Sequence, residues 1–213
     1  MARLTCLILV SFTLLAAGCQ GPAAARGPGG ITVNNPFRGG SVEVPKLPAS
    51  VEEFTAWRDQ VATTPEGGMA VYVVALAVYA KDQELGLKLL TIAIDQHFLV
   101  PSAQGVGGKA PQAISVQAWR DRIKPKPYIA RSYFAGTSVD GGYALPQGPL
   151  EIEYTEVRDE GGERAKVFVV SSGADSARPI TLQKNNRGVW KAWEWSSLEV
   201  GVRPPKVTKD DDL

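Results

Sequence analysis

Met69-Ala70-Val71-Tyr72-Val73-Val74-Ala75-Leu76-Ala77-Val78-Tyr79-Ala80 is an unbroken apolar run. Its reading decides the fold class. Tyr72, Val73 and Val74 favour a strand locally. The alanines, the length of the run and its start favour a helix. Thr64-Pro65-Glu66 supplies that start, with Thr64 as N-cap and Pro65 at the first helical position, where its missing N–H costs nothing. The sequence therefore predicts a helix over 65–81 that is apolar on every side. Such a helix must lie inside a layered domain. It is too short to span a bilayer, which takes about 20 apolar residues.

Helical signals continue on both sides. Ser50-Val51-Glu52-Glu53 reads as a capping box ahead of a helix over 51–62, with Phe54, Trp57 and Val61 at helical spacing. Asp82 is a candidate N-cap for a helix over 83–98 carrying Leu85, Leu89, Leu90 and Ile94, stopped by Pro101. Residues 102–111 read as a mobile glycine-rich loop. Gly105-Val106-Gly107-Gly108-Lys109 fails the phosphate-loop pattern at both ends, at Ala103 and at Ala110. A short helix is predicted over 113–123, ending before Pro125 and Pro127.

The rest reads as β. Strands are expected at 128–134, 150–157, 165–171, 179–184 and 189–196. Asp159-Glu160-Gly161-Gly162 and Asn185-Asn186-Arg187-Gly188 are the hairpin turns. Helices first and a meander after define an α+β domain, N-terminal helices on a C-terminal antiparallel sheet. The expected body is 50–203, with a polar tail at 204–213. Residues 19–49 read as a flexible tether, rich in Gly, Pro and Ala, with a span of about 30 Å. Within it, Ile31-Thr32-Val33 and Ser41–Val44 are alternatives to pure coil, as docked edge strands.

Candidate chemistry is sparse. The only histidine is His97, which alone cannot build a zinc site without carboxylates. The plainer role for it is at a helix end. Ser171-Ser172-Gly173-Ala174-Asp175-Ser176 is a small-residue loop that could bare backbone N–H groups, or simply a tight polar crossover. In a regular strand Trp193 and Trp195 share a face, either for stacking on a ligand or for core packing. Tyr128, Arg131 and Tyr133 form a weaker patch. Glu151, Glu153, Glu156, Asp159 and Glu160 surround a hairpin and read as solvated. No cofactor is called for. His97, Arg131, Asp175, Trp193 and Trp195 are the candidate binding residues.

Leu14-Leu15-Ala16-Ala17-Gly18-Cys19-Gln20 follows one positive charge at Arg3 and an apolar run over Leu4–Leu15. Charge, short apolar core and small residues are a secretory signal, expected over 1–18. The stretch resembles the lipobox of bacterial lipoproteins, though Ala16 stands where that family prefers Leu. The resemblance implies cleavage before Cys19, thioether lipidation of its thiol and N-acylation. Gln20 in place of Asp hints at the outer membrane where a cell has two. Cys6 leaves with the signal, so the mature body has no free thiol. Without Arg3, basic and acidic side chains balance at 22 each, which gives no reason to expect nucleic acid.

The body also resembles an uncharacterised domain found in bacterial lipoproteins, through Lys126–Ala130 with Tyr133-Phe134, and through Ser171–Ser176 with the later tryptophans. The expected function is non-enzymatic: a domain anchored to the bilayer through acylated Cys19 that binds an envelope protein, peptidoglycan or a small ligand. The alternative is a small-molecule-binding or enzymatic cone. In element order alone the chain resembles nuclear-transport-factor-like or cystatin-like folds, with a pocket near His97, Arg131, Asp175 and Trp193.

Overall fold

The computed structural model describes residues 31–32 and 39–206. The expected signal, Cys19, most of the expected tether and most of the tail lie outside the described residues.

Three helices open the body, each started by the side chain the sequence offers. In α1 (Val51–Val61) Ser50 Oγ accepts from Glu53 N–H at 3.2 Å, while Glu53 Oε2 reaches back to Ala49 N–H at 3.0 Å. In α2 (Pro65–Lys81) Thr64 Oγ1 accepts from Gly67 N–H at 3.3 Å. In α3 (Gln83–Ala93) Asp82 Oδ1 accepts from Leu85 N–H at 3.0 Å. These bonds satisfy amides that a helix start leaves orphaned.

Helix α2 is the axle. Glu66–Tyr79 are all buried, and Met69–Leu76 have at most 1% of their surface exposed. Helix α3 folds back antiparallel to it. Gly86 makes this close contact possible, since a Cβ there would lie 2.1 Å from Tyr79 Cα. After α3 come a hairpin of β3 (Leu99–Val106) and β4 (Lys109–Pro111), then α4 (Ala113–Arg122) and the single-turn α5 (Tyr128–Arg131).

The sheet takes up the rest of α2's surface. It contains β1 (Ile31–Thr32), β2 (Gly40–Val44), β5 (Leu150–Gly161), β6 (Arg164–Val169), β7 (Arg178–Lys184) and β8 (Trp190–Glu194), antiparallel, in the order β1-β2-β5-β6-β7-β8. Ile152, Val167, Val169, Ile180, Leu182 and Ala192 point at the helices and are fully buried. Glu151, Glu153, Lys166, Phe168, Gln183 and Lys191 fall on the opposite face by alternation. The α+β class follows directly from this arrangement.

Four expectations are corrected. Residues 40–49 belong to the body rather than to a tether, because Val42 and Val44 are core residues on a strand paired with β5. Residues 128–134 are not a strand. Ile129, Ala130, Tyr133 and Phe134 are all buried, a helical spacing, and Ser132 N–H closes the turn on Tyr128 C=O at 3.0 Å. Residues 102–111 are not a loop but mostly a hairpin, turned through Gly107 and Gly108 at φ +58° and +74°. The third helix stops at Ala93, not at residue 98. Ile94 turns extended and bridges to Ala192, Asp95 N–H donates to Ala192 C=O at 2.9 Å, and Gln96–Phe98 form a 3-10 turn. Closing the open edge of β8 overrides the helical pattern.

Placing a charge inside α2 tests the axle. Val74→Asp puts a carboxylate at a fully buried site with no cation provided, which costs several kcal/mol. Loss of the cooperative melting transition in circular dichroism is the expected outcome.

Candidate functional site

The outer face of β6, β7 and β8 carries a row of polar side chains in register, Arg164 opposite Gln183 and Gln183 opposite Lys191. Beyond the edge of β8 stands the segment Ile94–Asp95. Above it stands the β3–β4 hairpin, and at one end is the turn Asn185–Gly188. These enclose an open cleft of about 610 Å³. The turn is held tightly. Asn185 Oδ1 accepts from the N–H groups of Arg187 and Val189, both at 3.0 Å, and Gly188 sits at φ +77°.

Four cationic side chains line the cleft: Lys109 from the hairpin, Lys184 and Arg187 around the turn, and Lys191 from β8. Asp95 is its one carboxylate. Its remaining polar lining includes Gln183, Asn185 and Asn186. Lys184 has Glu163 at 3.9 Å, a long and half-exposed contact. Lys191 is the most constrained of the four. Its Nζ donates to Ile92 C=O near the end of α3, a favourable place for a cation. Burial, and then the charges of Arg58 and Arg187, push its ammonium down to about 8, against the weaker opposing pull of Asp95 and Asp59. Arg58 is itself 7% exposed, with Nε 2.8 Å from Asp59 Oδ1.

Two of the five residues singled out from sequence meet. The His97 ring stacks on Trp193 with centroids 5.0 Å apart, and Phe98 meets Trp193 edge-on at 5.4 Å and Trp195 at 5.0 Å. The Arg164 guanidinium lies 4.6 Å from the Trp193 ring centre. Its π surface is thus engaged from within the molecule. Trp195 does not share the outward face. It lies past the end of β8 and packs into the core on Tyr72 and Trp119, at 5.5 and 6.1 Å. Arg131 sits elsewhere, in a separate groove with Leu47, Ala80, Pro127 and Leu145. Asp175 is exposed on the β6–β7 loop and lines none of the larger cavities. The shared pocket expected for His97, Arg131, Asp175 and Trp193 is therefore not formed.

A second polar cluster is internal. Trp119 Nε1–H donates to Tyr72 Oη at 3.1 Å, Tyr72 O–H donates to Glu199 Oε1 at 3.2 Å, and Arg122 donates to Glu199 Oε2 at 2.9 Å. Burial pushes the Glu199 carboxyl up, and Arg122 partly offsets this. The cluster ties the 3-10 turn Ser196–Glu199 to α2 and α4. Among the described residues no three His, Cys, Asp or Glu side chains come close enough to hold a metal. Nor is any described helix long and apolar enough to cross a membrane.

The body is thus an α+β domain with a cation-lined cleft at one sheet edge. Residues 46–206 match a domain of unknown function (DUF6935), and the chain belongs to that family. No curated protein and no solved structure matches the chain.

The burial of Lys191 beside other cations should show in stability. The folded-state pKa of Lys191, about 8, lies below the ordinary 10.5, so the unfolded chain holds more protons between those values. The burden on the folded state is full below pH 8 and is lifted as pH rises toward 10.5. Relative to the parent, Lys191→Met should gain several degrees in Tm on going from pH 9.5 to pH 7, measured by differential scanning calorimetry. A difference independent of pH would show that Lys191 is not perturbed.

Proposed function

We propose that the protein is a lipid-anchored cell-envelope protein whose body is a non-enzymatic binding domain for an anionic ligand. The observation that carries the ligand class is the cleft lined by Lys109, Lys184, Arg187 and Lys191 against Asp95 alone. Clustered cations repel one another, and an anion in their midst relieves that repulsion. Asn185, Asn186 and Gln183 supply further donors for oxyanion oxygens. A carboxylate or phosphate group is the chemistry that fits. The engaged ring of Trp193 and the buried ring of Trp195 argue against a sugar stacked on the tryptophans.

The anchor rests on the sequence around Cys19. Acyl chains there give stable attachment, since each buried CH₂ contributes roughly 0.8 kcal/mol. Residues 20–30, between Cys19 and β1, then set the distance between the bilayer and the body. Outer-membrane residence follows where the cell has two membranes, since Gln20 rather than Asp follows the cysteine.

The anchor is tested by Cys19→Ala, expected to leave the precursor uncleaved and free of acyl label in cells fed radioactive palmitate. A labelled variant would remove the lipid attachment from this reading. The cleft is tested by calorimetric titration of the full-length protein in neutral detergent with inorganic pyrophosphate. Millimolar or tighter binding is expected, weakening with salt. Arg187→Ala should weaken it on the order of ten-fold, as loss of a charge-assisted hydrogen bond does. No heat at any salt concentration would mean that the cleft is not an anion site.

A further inference from the structure

Lys191 differs from the other cations of the cleft. Lys109 is exposed at the hairpin tip, and Lys184 is half exposed beside Glu163. Lys191 runs from the edge strand β8 into the gap between β8 and the end of α3, where Ile92 C=O takes one N–H. Arg187 and Asp95 line the cleft with it, and the charges of Arg58 and Asp59 reach it as well. Arg58 and Asp59 come from α1, Arg187 from the turn, and Asp95 from the segment after α3. Two of these are cations, and one of them, Arg58, is buried. An amine placed against fixed cations and shielded from water is driven toward its neutral, nucleophilic form.

We propose that Lys191 captures carbonyl compounds covalently: its amine condenses with the carbonyl of a small anionic aldehyde or 2-oxo acid whose charged group is held by Arg187, Lys184 and Lys109. This rests on the reading of the cleft as an anion site and names the ligand class for it. The step balances without a further reactant. The Nζ lone pair forms a bond to the carbonyl carbon, and the C=O π pair moves to oxygen. A proton passes from nitrogen to that oxygen, giving the carbinolamine. Loss of water then leaves a C=N bond. One amine and one carbonyl give one imine and one water, with no change of oxidation state, and water reverses it. Asp95 is the carboxylate within the cleft available to pass the proton, because only its Oδ1 is committed, to His97 N–H at 2.9 Å.

The supply of free amine is adequate. With its ammonium pushed down to about 8, roughly a tenth of Lys191 is neutral at pH 7, against about one in three thousand for an ordinary lysine. An incoming anion would neutralise part of the contribution from Arg187. Burial is the larger cause, and a seated ligand excludes more water. The site has room for such a ligand, since about 610 Å³ lies within the usual range for small molecules.

The experiment is reductive trapping on the full-length protein in neutral detergent. The protein is incubated with pyridoxal 5′-phosphate, or with glyoxylate, then reduced with borohydride and peptide-mapped by mass spectrometry. Label on Lys191 at least ten-fold above any other lysine is expected. Excess pyrophosphate should block it, phosphate-free pyridoxal should give far less, and Lys191→Arg should lose it while keeping the charge. Label spread evenly over exposed lysines would overturn the proposal. So would labelling of Lys191 that ignores both pyrophosphate and the phosphate of the probe. If pyrophosphate binds but Lys191 is not trapped, the covalent step fails and the anion site stands. If neither occurs, both fail together. The map of the parent protein decides the matter even where the variant does not fold.

Discussion

The structure depends on the burial of α2. A helix apolar on all sides cannot stop at one packing partner, because each uncovered stripe leaves side chains such as Val73, Leu76 or Tyr72 in water. Each such side chain contributes about 1.5–3 kcal/mol when fully buried. Helix α2 accordingly touches α1, α3, α5 and strands β2 and β5–β8. One consequence is the order of the chain. Helices flank α2 early, and the meander then covers what they leave. Another is that residues 40–44 had to join, since Val42 and Val44 complete the sheet's inner face and are themselves buried.

The same demand shapes the site. The meander ends at β8, whose outer edge would be a row of unpaired backbone groups. The chain closes that edge with pieces of the helical layer. Trp190 N–H donates to Ala62 C=O at 2.8 Å, and Asp95 N–H to Ala192 C=O at 2.9 Å. Ending α3 at Ala93 frees Ile94 and Asp95 for this work. It also opens a gap between the end of α3 and the sheet, into which Lys191 projects. The β3–β4 hairpin that follows brings Lys109 over the same gap. Edge protection and cleft formation are thus one structural event.

Much of the fold was legible because it is written locally. Ser50, Thr64 and Asp82 are side chains whose cap role needs only the next three residues, and all three cap. Strand β5 alternates along its first half, and the Asn185–Gly188 turn needs only Asn and Gly. The misreadings are of two kinds. At Tyr128–Phe134 the aromatic content suggested β, yet Ile129, Ala130, Tyr133 and Phe134 already had helical spacing, so the signal was present and outweighed. At Ile94–Phe98 the helical pattern continues in sequence, and only the edge of β8, far along the chain, interrupts it. The site was less legible. Trp193 and His97 do meet, but as a closed stack. The cleft's cations come from two hairpins that are joined only by the tertiary fold. Lys184, Arg187 and Lys191 around one tight turn were the available local sign.

Nothing in folding requires that cleft to be so positive. Moving Lys191 toward neutrality at the expense of folding free energy works against stability, and an apolar residue there would escape that burden. Arg58 adds to the effect, buried and 2.8 Å from Asp59 rather than paired with the cleft's own carboxylate. A repulsive cluster held in place by a tight turn, a paired strand and a helix end is preorganised: an anion seated there would not need to gather the charges, only to fill the space between them. On the proposed reading the cost falls on the free protein and is recovered when an anion binds. That division is what an anion-binding site would require of the frame around α2.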